Sequence, residues 1–454
     1  MFSQDMKIFS LIIIVASHIS IFSFSQNNSI QNDNQQQYFL IFQSQPSEDL
    51  LKNLSSKYSN VGELITFSEN LHFLPGEFDN EFIETFKDYN ESVEENSLNN
   101  NEKHWIVAEN GIVRALDNVV PEDYVTGNFC FQKFNQDIFE NKKSNNCVQD
   151  FVQSWGLDRI DQRSPLLSKT YSYPESAGYG VDVYVVDTGI DIDHPEFEGR
   201  ASWGITTTKR NTDKDENGHG TFVAGIIGGK TYGVAKRTNL IAVKSLDDEG
   251  TGSIKSVLYG LQYVIQSHLA KGGKGKTVAN LSLGSEYNRA VNLAVSELVK
   301  HGIIITAAAG NGLEGKGVDA CHVSPASART AITVGSTTQT DHISRFSNYG
   351  ECVNLFAPGQ GILSSYPFSQ NGTSIKSGTS FACPYVAGVV SLILSELKPQ
   401  QISLLSIKSS NARSIYILDL LEKLATKNVI NGLNGTLSPN MLIYNQVQEL
   451  TDVE

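Results

Sequence analysis

Apolar and polar positions follow two different rhythms along the chain. From Trp155 onward, short apolar runs alternate with amphipathic stretches, and Gly-rich turns separate them. Val181–Val186, Leu240–Val243, Val278–Leu283, Ile303–Ala308 and Ala331–Val334 read as buried strands. Between them, His219–Ile227, Ser253–Leu269, Ala290–Lys300 and Ser380–Leu394 read as helices. In Ser253–Leu269 the residues Ile254, Val257, Leu258, Leu261, Ile265 and Leu269 share one face, and Gly302 ends the helix Ala290–Lys300. Strands alternating with helices predict an α/β fold, a largely parallel sheet with helices on both faces. Sites in such sheets lie beyond the carboxyl ends of the strands.

The front of the chain has another texture. Tyr38–Phe42 reads as a strand, Ser47–Tyr58 as a helix with Leu50, Leu51 and Leu54 on one face, and Asp79–Tyr89 as a helix with Phe82, Ile83 and Phe86 on one face. This pattern predicts a small α+β domain over residues 38–95. Gln26–Gln37 is polar and Gln/Asn-rich, and Ser92–Asn101 reads as a boundary. Residues 96–154 form a linker to which no structure is assigned. Residues 1–25 carry Lys7, an interrupted apolar run Ile8–Phe24 and a small-x-small end, Ser23-Phe24-Ser25. That is the pattern of a signal peptide cut near Ser25; an N-terminal membrane anchor is the alternative. No later stretch reads as long and apolar enough to span a bilayer, so the expectation is a soluble, secreted protein without stable membrane association.

Composition sharpens this division. The chain has 454 residues and a formal net charge of −14, from 35 Lys+Arg and 49 Asp+Glu. Between Ser47 and Asn101 there are 12 acidic and 3 basic residues, so this segment holds most of the net charge. An acidic surface argues against nucleic acid as a partner. The five cysteines, Cys130, Cys147, Cys321, Cys352 and Cys383, are too few for a disulfide scaffold and have no C-x-x-C spacing. Cys130 and Cys147 bracket a polar loop, and their pairing is open. N-x-Ser/Thr sequons stand at Asn53, Asn90, Asn371 and Asn434.

Four stretches carry candidate chemistry. Asp187 ends an apolar strand in Val185-Val186-Asp187-Thr188-Gly189, where a desolvated carboxylate needs partners. His219 lies between two glycines at a helix start, in Asn217-Gly218-His219-Gly220-Thr221. Ser380 begins an apolar helix after small residues, in Ser377-Gly378-Thr379-Ser380. A serine is a weak nucleophile unless a base takes its proton and a third group orients that base. Asp, His and Ser in this order are one of the known triad orders. Asn311, in Ala309-Gly310-Asn311-Gly312 after a buried strand, supplies an amide suited to an oxyanion. Asp-Thr-Gly is also the triplet of aspartic proteases, which need a second carboxylate. The other alternative is a non-enzyme, a pseudoprotease or protease inhibitor.

Trp155 to about Asn445 resembles the subtilisin-like serine proteases, most closely the proteinase K branch. The matching blocks include Trp155-Gly-Leu-Asp-Arg-Ile-Asp161, Val183-Tyr-Val-Val-Asp-Thr-Gly189, His194-Pro-Glu-Phe-Glu-Gly-Arg200, Asn217-Gly-His-Gly-Thr221, Ser324-Pro-Ala-Ser327 and Gly378-Thr-Ser380. The resemblance implies a peptidase domain over 155–454 and a serine endopeptidase working through an acyl-enzyme. In it Asp187 orients, His219 is the base and acid, Ser380 the nucleophile and Asn311 the oxyanion donor. It further implies that protein or peptide substrates pair as an added strand with Gly250, Thr251 and Gly252 on one side and Ser282, Leu283 and Gly284 on the other. Ala307, Ala308, Ala309 and Gly310 would wall the pocket before the cut, and Ile254 would line the pocket for the fourth residue before it. The segment 38–95 resembles the family's inhibitory propeptide, so the chain is expected to be a zymogen inhibited by its own propeptide, active as a monomer. It is expected outside the cell or in a lysosome-like lumen.

The resemblance also implies a Cys321–Cys352 disulfide, as in thermostable relatives, and leaves Cys383 as a buried free thiol. No cofactor is required for the chemistry and no metal ligand is assigned. Asn354 stands where proteinase K has a calcium-binding aspartate, so structural calcium is in doubt there. Phe222 stands where many members carry a second histidine.

Overall fold

The computed structural model of the chain describes residues 35–58, 60–79, 82–83, 105–117, 146–209, 212–369, 371–398, 400–402 and 411–446. The expected signal peptide, Cys130 and most of the Asp79–Tyr89 helix lie outside the described residues.

The N-terminal unit is one antiparallel sheet with a helix on it. Its elements are β1 (Gln35–Phe42), α1 (Glu48–Lys57), β2 (Ile65–Ser68), β3 (Leu71–Asp79) and β4 (Trp105–Glu109), in the sheet order β2-β3-β1-β4. Ser47 caps α1 by accepting from the Leu50 N–H. β4 lies in the segment to which the sequence assigned no structure, so this sheet extends past residue 95. β1 explains its own unbroken apolar run. Tyr38, Leu40 and Phe42 pack with Leu54 and Tyr58 of the helix side, whereas Phe39 and Ile41 face the other way.

A short strand follows, β5 (Ile112–Ala115). After it come β6 (Asn146–Asp150), α2 (Trp155–Ile160), β7 (Thr170–Pro174), β8 (Val181–Asp187), β9 (Ala201–Thr206), α3 (His219–Gly228), β10 (Asn239–Lys244) and β11 (Thr251–Ser253). The chain continues through α4 (Ile254–Ala270), β12 (Lys276–Leu281), β13 (Leu283–Glu286), α5 (Arg289–Lys300), β14 (Ile304–Ala308), β15 (Val323–Ser324), β16 (Ile332–Thr337) and β17 (Leu355–Pro358). It ends with β18 (Ile362–Ser365), β19 (Thr373–Lys376), α6 (Thr379–Glu396), α7 (Ala412–Leu424), β20 (Thr426–Lys427) and β21 (Met441–Leu442).

Nine of these strands form the central sheet, in the order β20-β21-β17-β16-β14-β12-β8-β10-β9, and every pair is parallel except β20 with β21. The period of two sorts β8 between the faces. Val183 and Val185 join the core under α3 and α6, while Tyr184 and Val186 join the core under α4 and α5. The same second core takes in Phe39, Ile41, Ile65, Phe67 and Phe73 of the N-terminal unit. That unit therefore docks its free sheet face on α4 and α5. Polar contacts fix the docking: Gln262 donates to the Thr66 carbonyl at 3.0 Å, Lys255 N–H to Asn110 Oδ1 at 3.1 Å, and Asn288 Nδ2 to the Glu109 carbonyl at 2.9 Å.

Three expectations are corrected. Leu269 is 43% exposed, on the last turn of α4; Val264 is buried in the core instead. The run Val278–Leu283 is two strands, since Ser282 leaves the central sheet and β13 turns to pair elsewhere. Helix α6 is long and apolar enough to cross a membrane by length and composition, but 89% of it is buried within the protein. It is a core helix packed under the sheet.

Candidate active site

Three loops at the carboxyl edge of the sheet converge on one point. Asp187 ends β8, His219 begins α3 and Ser380 lies in the first turn of α6, and all three are fully buried. The chain must turn sharply to place the imidazole. Gly218 has φ +96°, and a Cβ there would strike the Tyr366 ring. A Cβ on Gly220 would collide with the Gly189 carbonyl, so the loop after β8 can approach only a glycine.

His219 Nδ1–H donates to Asp187 Oδ1 at 2.7 Å, which leaves Nε2 as the acceptor. His219 Nε2 and Asp187 Oδ2 are buried without hydrogen-bond partners among the described residues. Burial favours the neutral ring, but the Asp187 charge and hydrogen bond outweigh it, with Asp117 adding and Lys376 opposing. The net effect raises the His219 pKa above its ordinary value. Ser380 Oγ donates to the Ser282 carbonyl at 2.8 Å and accepts from the Leu116 N–H at 3.0 Å. Its hydroxyl hydrogen is thus on the Ser282 carbonyl and not on His219 Nε2.

Asn311 is held by its oxygen. Oδ1 accepts from the Thr379 N–H and hydroxyl, both at 2.9 Å, and Nδ2 is a buried donor without a partner among the described residues. An unpaired buried donor costs free energy unless something fills the space before it. The Ser380 N–H points to the Leu116 carbonyl at 3.4 Å. Asn311 Nδ2 lies by the same turn: a Cβ built on Gly378 would stand 3.3 Å from Asn311 Nδ2 and would collide with the Leu116 carbonyl oxygen.

That carbonyl belongs to a strand of the chain itself. β5 lies antiparallel between β11 and β13, with Arg114 opposite Thr251 and Gly284, Val113 opposite Gly252 and Ala115 opposite Leu283. The Ala115 N–H donates to the Gly250 carbonyl at 2.9 Å, and the Ile254 N–H donates to the Gly111 carbonyl at 3.0 Å. The residues Gly250, Thr251, Gly252, Leu283 and Gly284, expected to bind substrate, are thus the ones that hold this strand. Val113 and Ile254 are buried in one cluster, and Leu116 lies against Gly284 and the core that contains Ala308. Ala307 is buried in the cluster that holds Val113 and Ile254, Ala309 is buried in a further one, and the Gly310 N–H donates to Thr379 Oγ1 at 3.1 Å.

This arrangement has counterparts among known proteins. Residues 178–435, more than half of the chain, match the model of the Subtilase family, Peptidase_S8. The chain belongs to the subtilase family. It is 42% identical over 297 residues to the subtilisin-like serine protease Rho m 2.0101 of Rhodotorula mucilaginosa, covering 64% of this chain and 85% of that protein. It is 41% identical to subtilisin-like serine protease Pen c 2 of Penicillium citrinum and 43% identical to subtilisin-like protease 3 of Saccharomyces cerevisiae. Those matches cover 64% and 67% of this chain, and 65% and 63% of the relatives' own lengths. A solved cold-adapted subtilisin-like serine proteinase is 40% identical, with a TM-score of 0.55, and covers 64% of this chain and 97% of its own. As a subtilase with these relatives, the protein is a serine endopeptidase of α/β fold.

The subtilase carries the Cys321–Cys352 disulfide, Cα to Cα 5.4 Å, and Cys383 is buried with its Sγ donating to Asn280 Oδ1. Cys147 has no disulfide partner among the described residues, and Cys130 lies outside them. Phe222 packs its ring 4.6 Å from Phe381, which in turn lies 5.3 Å from His219, so an apolar stack takes the place of a second histidine. Asn354 Oδ1 accepts from the Thr333 N–H at 2.7 Å; a neutral amide used this way brings no charge to a cation, and the position does not fit a strong calcium ligand. Two residues escaped the sequence reading. Asp215, buried, gathers the Gly218 and Thr221 N–H groups and the Thr188 and Thr221 hydroxyls, and so sets the loop that carries His219. Its signal was an acidic side chain four residues before a glycine-flanked histidine. The other is Lys376, whose Nζ lies 3.0 Å from Asp117 Oδ2.

Proposed function

We propose that this subtilase is made as a secreted zymogen whose residues 26–116 are an inhibitory propeptide, and that it frees itself by cutting between Leu116 and Asp117. The observation that carries the reading is β5 seated in the groove, with the Leu116 carbonyl beside the Ser380 N–H and the Leu116 N–H on Ser380 Oγ. Ser380 Oγ rotates from the Ser282 carbonyl toward His219 Nε2 and attacks the Leu116 carbonyl carbon as Nε2 takes its proton. Asp187 holds the Nδ1–H and stabilises the imidazolium. The oxyanion receives the Ser380 N–H and Asn311 Nδ2, the latter worth roughly 3–4 kcal/mol in such sites. The intermediate collapses, His219 returns the proton to the amine of Asp117, and water then hydrolyses the Leu116 acyl-enzyme by the same route.

Substrates bind as β5 does, extended, with Val113, Ala115 and Leu116 marking the positions for apolar side chains before the cut. A leader at 1–25 and the Cys321–Cys352 disulfide fit an oxidising compartment, outside the cell or in a lysosome-like lumen. The released peptidase acts on protein or peptide substrates as a monomer.

The test is labelling with a fluorophosphonate. One adduct on the processed wild type and none on Ser380→Ala is the expected result. Equal labelling of both, or none on folded, processed protein, contradicts the assignment.

A further inference from the structure

On the leaving side of the cut, the groove carries a charge. Lys376 ends β19, whose pairing with β18 runs from Ile362 opposite Lys376 to Ser365 opposite Thr373. Four residues later comes Ser380. The Gly361 N–H donates to Ser377 Oγ and the Gly378 N–H to the Gly359 carbonyl, both at 2.8 Å, so the hairpin and the nucleophile turn are tied together. The ammonium is placed from two sides. Nζ lies 3.0 Å from Asp117 Oδ2 and 5.3 Å from the centroid of the Tyr366 ring. Tyr366 is itself fixed, its hydroxyl donating to the Asn217 carbonyl at 3.0 Å, next to His219.

These groups line a recess of about 200 Å³ with Ala115, Asn217 and Gly250. The side chains of Lys376 and Asp117 are 22% and 35% exposed, so their attraction is only partly screened. Burial works against the Asp117 carboxylate, but His219 and Lys376 outweigh it and lower its pKa, so it is charged in the groove. Glu249, exposed on the far lip, and Arg114 are the other charged groups lining the recess.

We propose that Lys376, backed by Tyr366, is a specificity-determining residue that selects an acidic side chain immediately after the scissile bond. The inference rests on the reading that Ser380 attacks the Leu116 carbonyl. Asp117 is then the first residue of the leaving fragment, and the chain's own junction is its first acidic substrate. Lys376 touches neither the attacked carbonyl nor the transferred proton; it acts on the residue that the amine carries away.

The experiment uses the processed peptidase, its active-site concentration titrated with a fluorophosphonate on a separate aliquot, and peptides containing Val-Arg-Ala-Leu followed by Asp, Asn or Lys. In the wild type kcat/KM for Asp should exceed that for Asn about three- to fivefold at low salt, and the ratio should shrink toward one in 1 M salt. Lys376→Met should bring the ratio near one, and Lys376→Glu should make Lys the preferred residue. In the full chain, Lys376→Glu should slow self-processing and Asp117→Lys should restore it in that background. Each ratio is taken within one variant, so a loss of folded protein cancels. Protein that titrates with the probe but whose Asp-to-Asn-to-Lys ratios are the same in wild type and variants overturns the inference and leaves the Ser380 reading standing. Wild type that neither labels nor cuts any of the three peptides overturns both.

Discussion

The two sheets of this molecule are built alike and finished differently. The nine-stranded sheet has helices of its own unit on both faces, α3 and α6 on one and α4 and α5 on the other. The four-stranded sheet has its own helix on one face only; the other face, with Phe39, Ile41, Phe67 and Phe73, is completed by α4 and α5. A unit that borrows half its core is stable while docked and loses that core's contribution when it leaves. This is the property an inhibitor needs if it is to be held firmly once and then discarded. In the proposed reading it would also tie the covalent cut to release, because β5 follows β4 of that sheet into the groove.

The most severe way to break the relation between the units is to remove the nucleophile. Ser380→Ala should lower peptidase kcat on the order of 10⁶-fold and leave a single uncut chain on an intact-mass spectrum. Next comes Asn311, the proposed oxyanion donor. Asn311→Ala should lower kcat about 10²- to 10³-fold with KM little changed, measured on a Leu-containing peptide. A loss expressed mainly in KM would mean that Asn311 binds substrate rather than the transition state.

Two neighbouring residues sharpen the comparison. Leu40→Ala removes a side chain from the small unit's own core, at a cost of roughly 2–5 kcal/mol, while Phe39→Ala removes one from the borrowed core, at roughly 3–5 kcal/mol. In an uncut Ser380→Ala chain, hydrogen exchange should separate them. Leu40→Ala should speed exchange in β1, β3 and α1, and Phe39→Ala should also speed it in β5, since undocking frees the groove. Identical patterns would show that the two faces are not independent.

The smallest effect concerns pH. His219 must be neutral to accept a proton, and its pKa is raised, so activity is lost as pH falls through that raised value. Asp117 raises it and Lys376 opposes. Departure of Asp117 removes a raising influence, so the acid limb for hydrolysis of a peptide with Ala after the cut should lie at lower pH than the acid limb for self-processing. Coincident limbs would show that Asp117 does not act on His219 before the cut.

Much of the larger unit was legible in the sequence because its strands are buried runs and its helices have one apolar face. Val181–Val186 and Ser253–Leu269 needed only period and caps, and the Ser253 cap is present, accepting from the Ser256 N–H. The small unit was less legible. β3 contains His72, Pro75 and Gly76, which a strand pattern does not favour, and it stands because both neighbours pair with it. β5 could not be read at all: Ile112 is 61% exposed, and the segment is extended because β11 and β13 supply its partners. Asp187, His219, Ser380 and Asn311 were visible through their glycine and small-residue settings. Lys376 was hidden because its contact with Asp117 spans 259 residues; Asp215 bonds mostly to residues three and six positions on, and its local pattern was passed over.

The most direct test is the carboxyl-terminal residue of the fragment released when the wild-type chain first processes itself, read by top-down mass spectrometry. The account predicts a fragment ending at Leu116, with Asp117 opening the peptidase and no such fragment from Ser380→Ala. A first cut at any other bond, or the same cut in Ser380→Ala, would contradict it.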